Sequence, residues 1–215
     1  NAQSAAGVSS GAFYKAIEDT AAASLPKDYH IEWTGLSYQE RQNAGQIVTL
    51  MGLALLFAYL FLVAQYESWT IPLSVMLSVL FAVMGALLGL ELTGGDMSIY
   101  TQLGMVMLIG LAGKNAILMV EFAKTARESG LSIIEAAKQG ASIRFRAVMM
   151  TAWSFLFGVL PLVFATGAGS ASRRAIGITT FAGMLTATLI GIFFIPFLFT
   201  LFETLREKFH AWRRS

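Results

Sequence analysis

The chain has 215 residues, of which 56% are apolar and only 13% charged, with a mean hydropathy of +0.64 and a net charge of +2. A soluble domain carries about 25% charged residues, so the composition excludes an ordinary water-soluble fold. The small basic excess gives no reason to expect nucleic acid as a partner, and the absence of cysteine excludes disulfides, CxxC redox chemistry and thiolate metal sites.

Residues 1–44 read as water-soluble. Asn1 is not a Met, no cleavable leader opens the chain, and the first residues are polar and rich in Ser and Ala, so the sequence reads as a fragment of something longer. Ser9, Ser10 and Gly11 precede a helical run from Ala12 to Ala23, with Phe13 and Ile17 spaced to share a face, and Leu25 and Pro26 stop it. Tyr29, Ile31 and Trp33 then alternate with His30, Glu32 and Thr34, which predicts a half-buried strand. One helix and one strand cannot close a core, so this short α+β segment calls for partners outside the sequence.

Five apolar stretches follow, at about 45–64, 71–90, 97–122, 147–166 and 175–202, and a basic tail runs from 206 to 215. No Asp, Glu, Lys or Arg occurs from Trp69 to Leu90, from Met97 to Gly113, from Ala147 to Ser172 or from Ala175 to Phe202. Each gap is near or above the ~18 apolar residues that mark a bilayer crossing. The fold class predicted for 45–205 is therefore an α-helical integral membrane domain of five transmembrane helices. Five is odd, so the two ends lie on opposite sides. With the N-terminal segment outside, nine cations fall inside: Lys124, Arg127, Lys138, Arg144 and Arg146 in the connection leading into the fourth stretch, and Arg206, Lys208, Arg213 and Arg214 in the tail. Arg173 and Arg174 dissent. Tyr66 and Trp69 flank the first short connection, where amphipathic aromatics sit at headgroup level.

Lys114 is the most informative residue. It interrupts an apolar helix, where an ammonium costs about 3 kcal/mol on insertion scales, so it should face protein or water and is a functional candidate. The bland alternative is a lysine snorkelling to the interface near Glu121, seven residues and about 10 Å along the helix. That separation is too long for direct contact, so a carboxylate partner for Lys114 is missing from the sequence. Thr151 lies near the start of the fourth stretch, and its plain reading is a hydroxyl bonded back to its own helix. Gly85 and Gly89, and the glycines at 104, 110 and 113, read as close helix packing, and Pro161 and Pro196 as kinks. His30 and His210 are isolated, which makes a metal site unexpected. No nucleophile–base pair, phosphate loop or paired carboxylate is visible, and no cofactor is implied.

Gly110–Ala123 reads GLAGKNAILMVEFA and resembles the lysine-bearing helix of the resistance-nodulation-division efflux pumps, in their hydrophobe/amphiphile multidrug branch. DYHIEWTGLSYQER at 28–41 resembles the end of that family's second periplasmic porter region, YESWTIPLSVML at 66–77 its eighth-to-ninth helix connection, and PLVFATGAGSASRRAIG at 161–177 its eleventh-to-twelfth. The resemblance implies helices eight to twelve of a twelve-helix subunit, preceded by the end of the porter region and set in a bacterial inner membrane. The N-terminal segment would be periplasmic and the tail cytoplasmic. It implies a homotrimer working with a periplasmic adaptor and an outer-membrane channel, driven by the proton-motive force, exporting hydrophobic or amphiphilic drugs. Lys114 matches the family's relay lysine, Thr151 its relay threonine, and Arg144 in RFRAVMMT the arginine at the cytoplasmic end of the proton path. The relay aspartates lie in the absent N-terminal half and would be the partners of Lys114. Ala147 departs from the family's common Pro. A lipid exporter or translocation accessory of the same superfamily, and a structural or channel-forming subunit, remain competing readings. A membrane-embedded enzyme would need a His, Asp or Glu constellation at depth, which the sequence lacks.

Overall fold

The computed structural model describes residues 10–26, 28–35, 37–38, 47–95 and 97–214. The first helix, α1, is Ser10–Ser24, and the chain leaves it at Leu25, whose N–H bonds to Ala21 O at 2.8 Å. The expected strand over Tyr29–Thr34 does not form: this segment has no regular hydrogen bonding, and no strand occurs among the described residues. A strand needs a second edge to bond to, and none is at hand among the described residues. Trp33 instead folds back on α1, its ring 4.9 Å from that of Tyr14 and its indole N–H donating to Glu18 at 3.4 Å, while Tyr29 is left 69% exposed. The α+β expectation for this segment is corrected to a helix with an extended arm.

The remaining helices are α2 Ile47–Tyr66, α3 Ile71–Leu92, α4 Ile99–Glu128, α5 Ile133–Val163, α6 Ser170–Thr186 and α7 Ile192–Arg214, with a π-helical turn at Ala187–Gly191 joining the last two. Among the described residues four helices are long and apolar enough to cross a membrane: α3, α4, α5 and the continuous run 170–208. In α2 the apolar part that is described, Gly52–Tyr66, is shorter, and residues 45 and 46 of the first expected span lie outside the described residues.

The helices overrun the apolar stretches that predict them. α4 continues through Lys124, Arg127 and Glu128, and α5 begins at Ile133, so the long basic connection shrinks to a turn at 129–132. Lys, Glu, Arg and Ala are good helix formers, so nothing in these residues ends the helix at the membrane boundary. Gly130 makes the turn with φ +100°, and Ser132 opens α5 with a capping box, its hydroxyl accepting from the Glu135 N–H while the Glu135 carboxylate accepts from the Ser132 N–H.

Lipid tails are as apolar as leucine, so helix association in a membrane relies on close packing of small residues. The expectation for Gly85, Gly89 and Gly104 holds. A Cβ at Gly85 would overlap the Thr186 side chain, one at Gly89 would overlap Ala182, and one at Gly104 would lie 3.2 Å from Thr179. Gly140 brings α5 onto the backbone of α4 at Ala123, and Gly177 brings α6 onto α5 at Leu162. Gly110 is the correction, since nothing lies within 4 Å of the place its Cβ would take, and Gly113 makes only an ordinary contact with Val79.

Two apolar clusters form the interior. One gathers Ala82, Ala86, Leu108, Ala112, Ala152, Leu156 and Met184. The other gathers Leu62, Tyr66, Ile71, Val75, Val120, Val148, Ile195 and Phe199 near the end that carries the α4–α5 turn. Tyr66 is not the surface aromatic its position suggests. It is 1% exposed, and its phenol donates to Ile117 O at 3.1 Å, whereas Trp69 alone of the pair faces outward. Ion pairs tie this end together: Arg127 donates to Glu207 of α7 and, at 2.7 Å, to Leu131 O in the turn, and Arg206 donates to both oxygens of buried Glu203 at 3.0 Å. At the other end, Arg173 donates to the carbonyls of Thr166, Ala168 and Gly169 in the loop between α5 and α6, where Gly167 and Gly169 take φ +81° and +68°.

Candidate functional site

Lys114 sits in the middle of α4, and the helix period decides what surrounds it. Thr101, Gly104, Met105, Leu108, Ala112, Ala116, Met119 and Val120 form the buried face. Leu103, Met107, Gly110 and Lys114, spaced by three and four residues, form an exposed stripe on the opposite side. Among the described residues Lys114 has no side-chain hydrogen bond and no ion pair. The lysine thus points away from the helices of this chain, within a stripe of apolar side chains and an uncovered glycine.

Thr151 and Arg144 lie on α5, two turns apart. Thr151 is exposed, and its hydroxyl donates to the carbonyls of Ala147 at 3.1 Å and Val148 at 3.0 Å, the helix-internal bonding that its residue type favours. The Arg144 guanidinium lies 4.0 Å from the centre of the Phe122 ring on α4, and its Nε is buried with no hydrogen-bond partner among the described residues. Phe122 is a contact that the sequence reading missed, because no local spacing links a residue of α4 to one of α5. The Oε2 atom of Glu121 is likewise buried and without a partner among the described residues.

The structure does not bring Lys114 and Thr151 into contact, but it sets them at similar depth. A four-residue turn makes α4 and α5 antiparallel, and they meet where Gly140 faces Ala123. At 1.5 Å per residue, Lys114 lies about 14 Å from that crossing along α4 and Thr151 about 17 Å along α5, so their heights differ by about 3 Å. Arg144, only four residues past Gly140, stays near the crossing, about 6 Å along. The three candidates therefore form a line of polar groups from the turn end into the apolar middle, with Lys114 and Thr151 at its inner end on exposed helix faces. Among the described residues no group of three or more His, Cys, Asp or Glu could hold a metal ion.

Residues 1–203 match the AcrB/AcrD/AcrF family. The chain is 43% identical over 208 residues to the multidrug resistance protein MdtF of Escherichia coli (strain K12), covering 96% of this chain and 20% of that protein. It is 41% identical over 201 residues to the toluene efflux pump membrane transporter TtgB of Pseudomonas putida, covering 94% and 19%. To the multidrug export protein AcrF of Escherichia coli (strain K12) it is 42% identical over 198 residues, covering 92% and 19%. The chain spans about a fifth of the length of these relatives.

Proposed function

Since the chain belongs to the AcrB/AcrD/AcrF family of resistance-nodulation-division multidrug efflux transporters, we propose that it forms helices eight to twelve of a proton-driven drug exporter, an antiporter and not an enzyme. The observation that carries this reading is the placement of Lys114 on an exposed stripe of α4, without a counter-charge among the described residues. An unpaired ammonium at that depth costs about 3 kcal/mol or more. Its stability calls for carboxylates on a helix that covers the stripe, and the uncovered Gly110 leaves room for such a helix to approach closely.

The relay aspartates of the transporter's N-terminal half are those carboxylates. While they are ionised they hold Lys114; when one takes a proton the pair loosens, the lysine is released toward a neighbour such as Thr151 at nearly the same height, and the helices shift. Thr151 keeps acceptor lone pairs free for that ammonium while its hydrogen stays on its own helix. Arg144, with an unpaired Nε near the turn, marks the cytoplasmic end of the path. Each proton moving down 100 mV supplies about 2.3 kcal/mol for drug movement. In the working assembly the subunit is a trimer in the bacterial inner membrane, joined to a periplasmic adaptor and an outer-membrane channel, and its cargo is hydrophobic or amphiphilic drugs.

The test is Lys114→Met in the full-length transporter. Methionine keeps much of the stem volume and removes the charge, so the protein should fold, assemble and bind drug while export driven by an imposed pH gradient is lost. Thr151→Ala should weaken export less, because it removes a hydrogen-bond partner and no charge. Near-normal export by Lys114→Met at matched protein levels would refute the relay and favour a structural or channel-forming subunit with a snorkelling lysine.

A further inference from the structure

We propose that Asn115, Ser78 and Thr188 hold a single water molecule between α3, α4 and the π-helical turn, tying the helix of Lys114 to the last helix through a buried solvent site. These three side chains line one cavity where α3, α4, α5 and the π-helical turn meet, and the other six lining residues, Val148, Ile192 and Ile195 among them, are apolar or glycine. The space is about 10 Å³, enough for one water.

The hydrogen-bond inventory shows what the cavity asks for. The Ser78 hydroxyl donates to Val75 O at 2.6 Å and the Thr188 hydroxyl donates to Met184 O at 2.7 Å, so both hydrogens are committed to backbone and both oxygens present only lone pairs. Ser78 is 4% and Thr188 3% exposed, so bulk solvent does not serve those lone pairs. The Asn115 side chain is half-buried and makes no hydrogen bond among the described residues. A water donating to the two hydroxyl oxygens and accepting from an Asn115 amide N–H gives each of the three groups a partner, and three hydrogen bonds are usual for a buried water. Apolar cavities of this size stay dry; a polar one at membrane depth is costly unless filled. A metal cation fits poorly, because no carboxylate lines the space and its charge would be uncompensated.

The location adds meaning. Thr188 lies within the π-helical turn, and such turns recur at functional sites. Asn115 follows Lys114 directly, so it occupies a different face of α4, toward the last helix, while Lys114 faces outward. A movement of α4 that carries Lys114 outward must stretch or break this water-mediated tie. The tie depends on the cavity and the three polar side chains that line it, whatever drives the transporter.

The experiment is hydroxyl-radical footprinting by brief X-ray pulses on the full-length protein in lipid nanodiscs, just after mixing into water carrying heavy oxygen, in a sodium-free buffer stripped of dissolved oxygen so that the oxygen added to carbon comes from water-derived radicals. Oxidation at Val148, Ile192 or Ile195 that retains light oxygen is expected, since a held water exchanges slowly. That oxidation should be lost in Asn115→Leu and in Thr188→Val. Thr188→Val is nearly isosteric, so it decides the matter if Asn115→Leu fails to fold. Absence of oxidation in the wild type means a dry cavity, heavy oxygen alone means one open to bulk, and signal unchanged in the variants means water held elsewhere. A signal that sodium abolishes means a cation competes for the site. Each of these four results overturns the proposal.

Discussion

Replacing Gly140 by Ala should part the α4–α5 pair at the level that sets Arg144 against Phe122. A Cβ at position 140 would lie 2.6 Å from the Ala123 nitrogen and 2.9 Å from its Cα and Cβ, whereas ordinary contact begins at 3.4 Å. α5 must therefore retreat by up to about 0.8 Å. The atoms in the way are mostly backbone, so no rotamer change relieves the overlap, and the cost falls toward the upper part of the ~1–3 kcal/mol typical of overpacking. Alanine recovers about 1 kcal/mol as the better helix former. The net loss is then about 2 kcal/mol, or ~4–8 °C in Tm for a chain of this length. Gly158→Ala on the same helix is the control: nothing lies within 4 Å of its Cβ position, so only the gain of about 1 kcal/mol remains. Thermal unfolding of this chain in detergent, followed by circular dichroism, should move in opposite directions for the two variants. Equal upward shifts would refute the close approach of α5 to the α4 backbone.

Tyr66→Phe should cost about 1 kcal/mol, near the middle of the range for one hydrogen bond, because the Ile117 carbonyl keeps its helical partner; equilibrium unfolding of the purified chain measures it. Ser132→Ala breaks the capping box at the start of α5 and should cost about 1 kcal/mol, seen as faster amide hydrogen exchange confined to the first turn after residue 132. On this Cys-free sequence, Ser142→Cys should resist a membrane-impermeant thiol reagent in intact cells while Ala171→Cys, at an exposed position beside the α5–α6 loop, reacts, because the basic α4–α5 region belongs inside; the reverse pattern would invert the proposed orientation.

The crossing helices were legible because charge is excluded from long stretches, and that signal is global enough to survive errors in detail. Their ends were not, since a helix leaving the bilayer meets Lys124, Arg127 and Glu128, which favour helix as much as the apolar run does. The strand expected at Tyr29–Thr34 followed from an alternation that Trp33 uses to dock on α1, and alternation says nothing about whether a second edge exists. At the site, Lys114 was conspicuous by charge alone, a single cation in an otherwise apolar run. Thr151 could be read only as an ordinary helix threonine until family motifs singled it out. The stacking of Arg144 on Phe122 and the cavity beside Asn115 arise where separate helices cross, and a one-dimensional pattern carries no record of which faces meet.

The three carbonyls held by Arg173 bear on how this chain enters a membrane. Thr166, Ala168 and Gly169 follow the C-terminal end of α5, where the helix dipole is negative, so the closed loop draws the guanidinium onto a partial counter-charge. In the folded protein Arg173 is no longer a free cation opposing the charge asymmetry that orients the helices. During insertion, before Gly167 and Gly169 have turned the chain, it is one. The burden of Arg173 therefore falls on a transient step of biogenesis that closure of the loop relieves, whereas its exposed neighbour Arg174 stays outside the loop bonding.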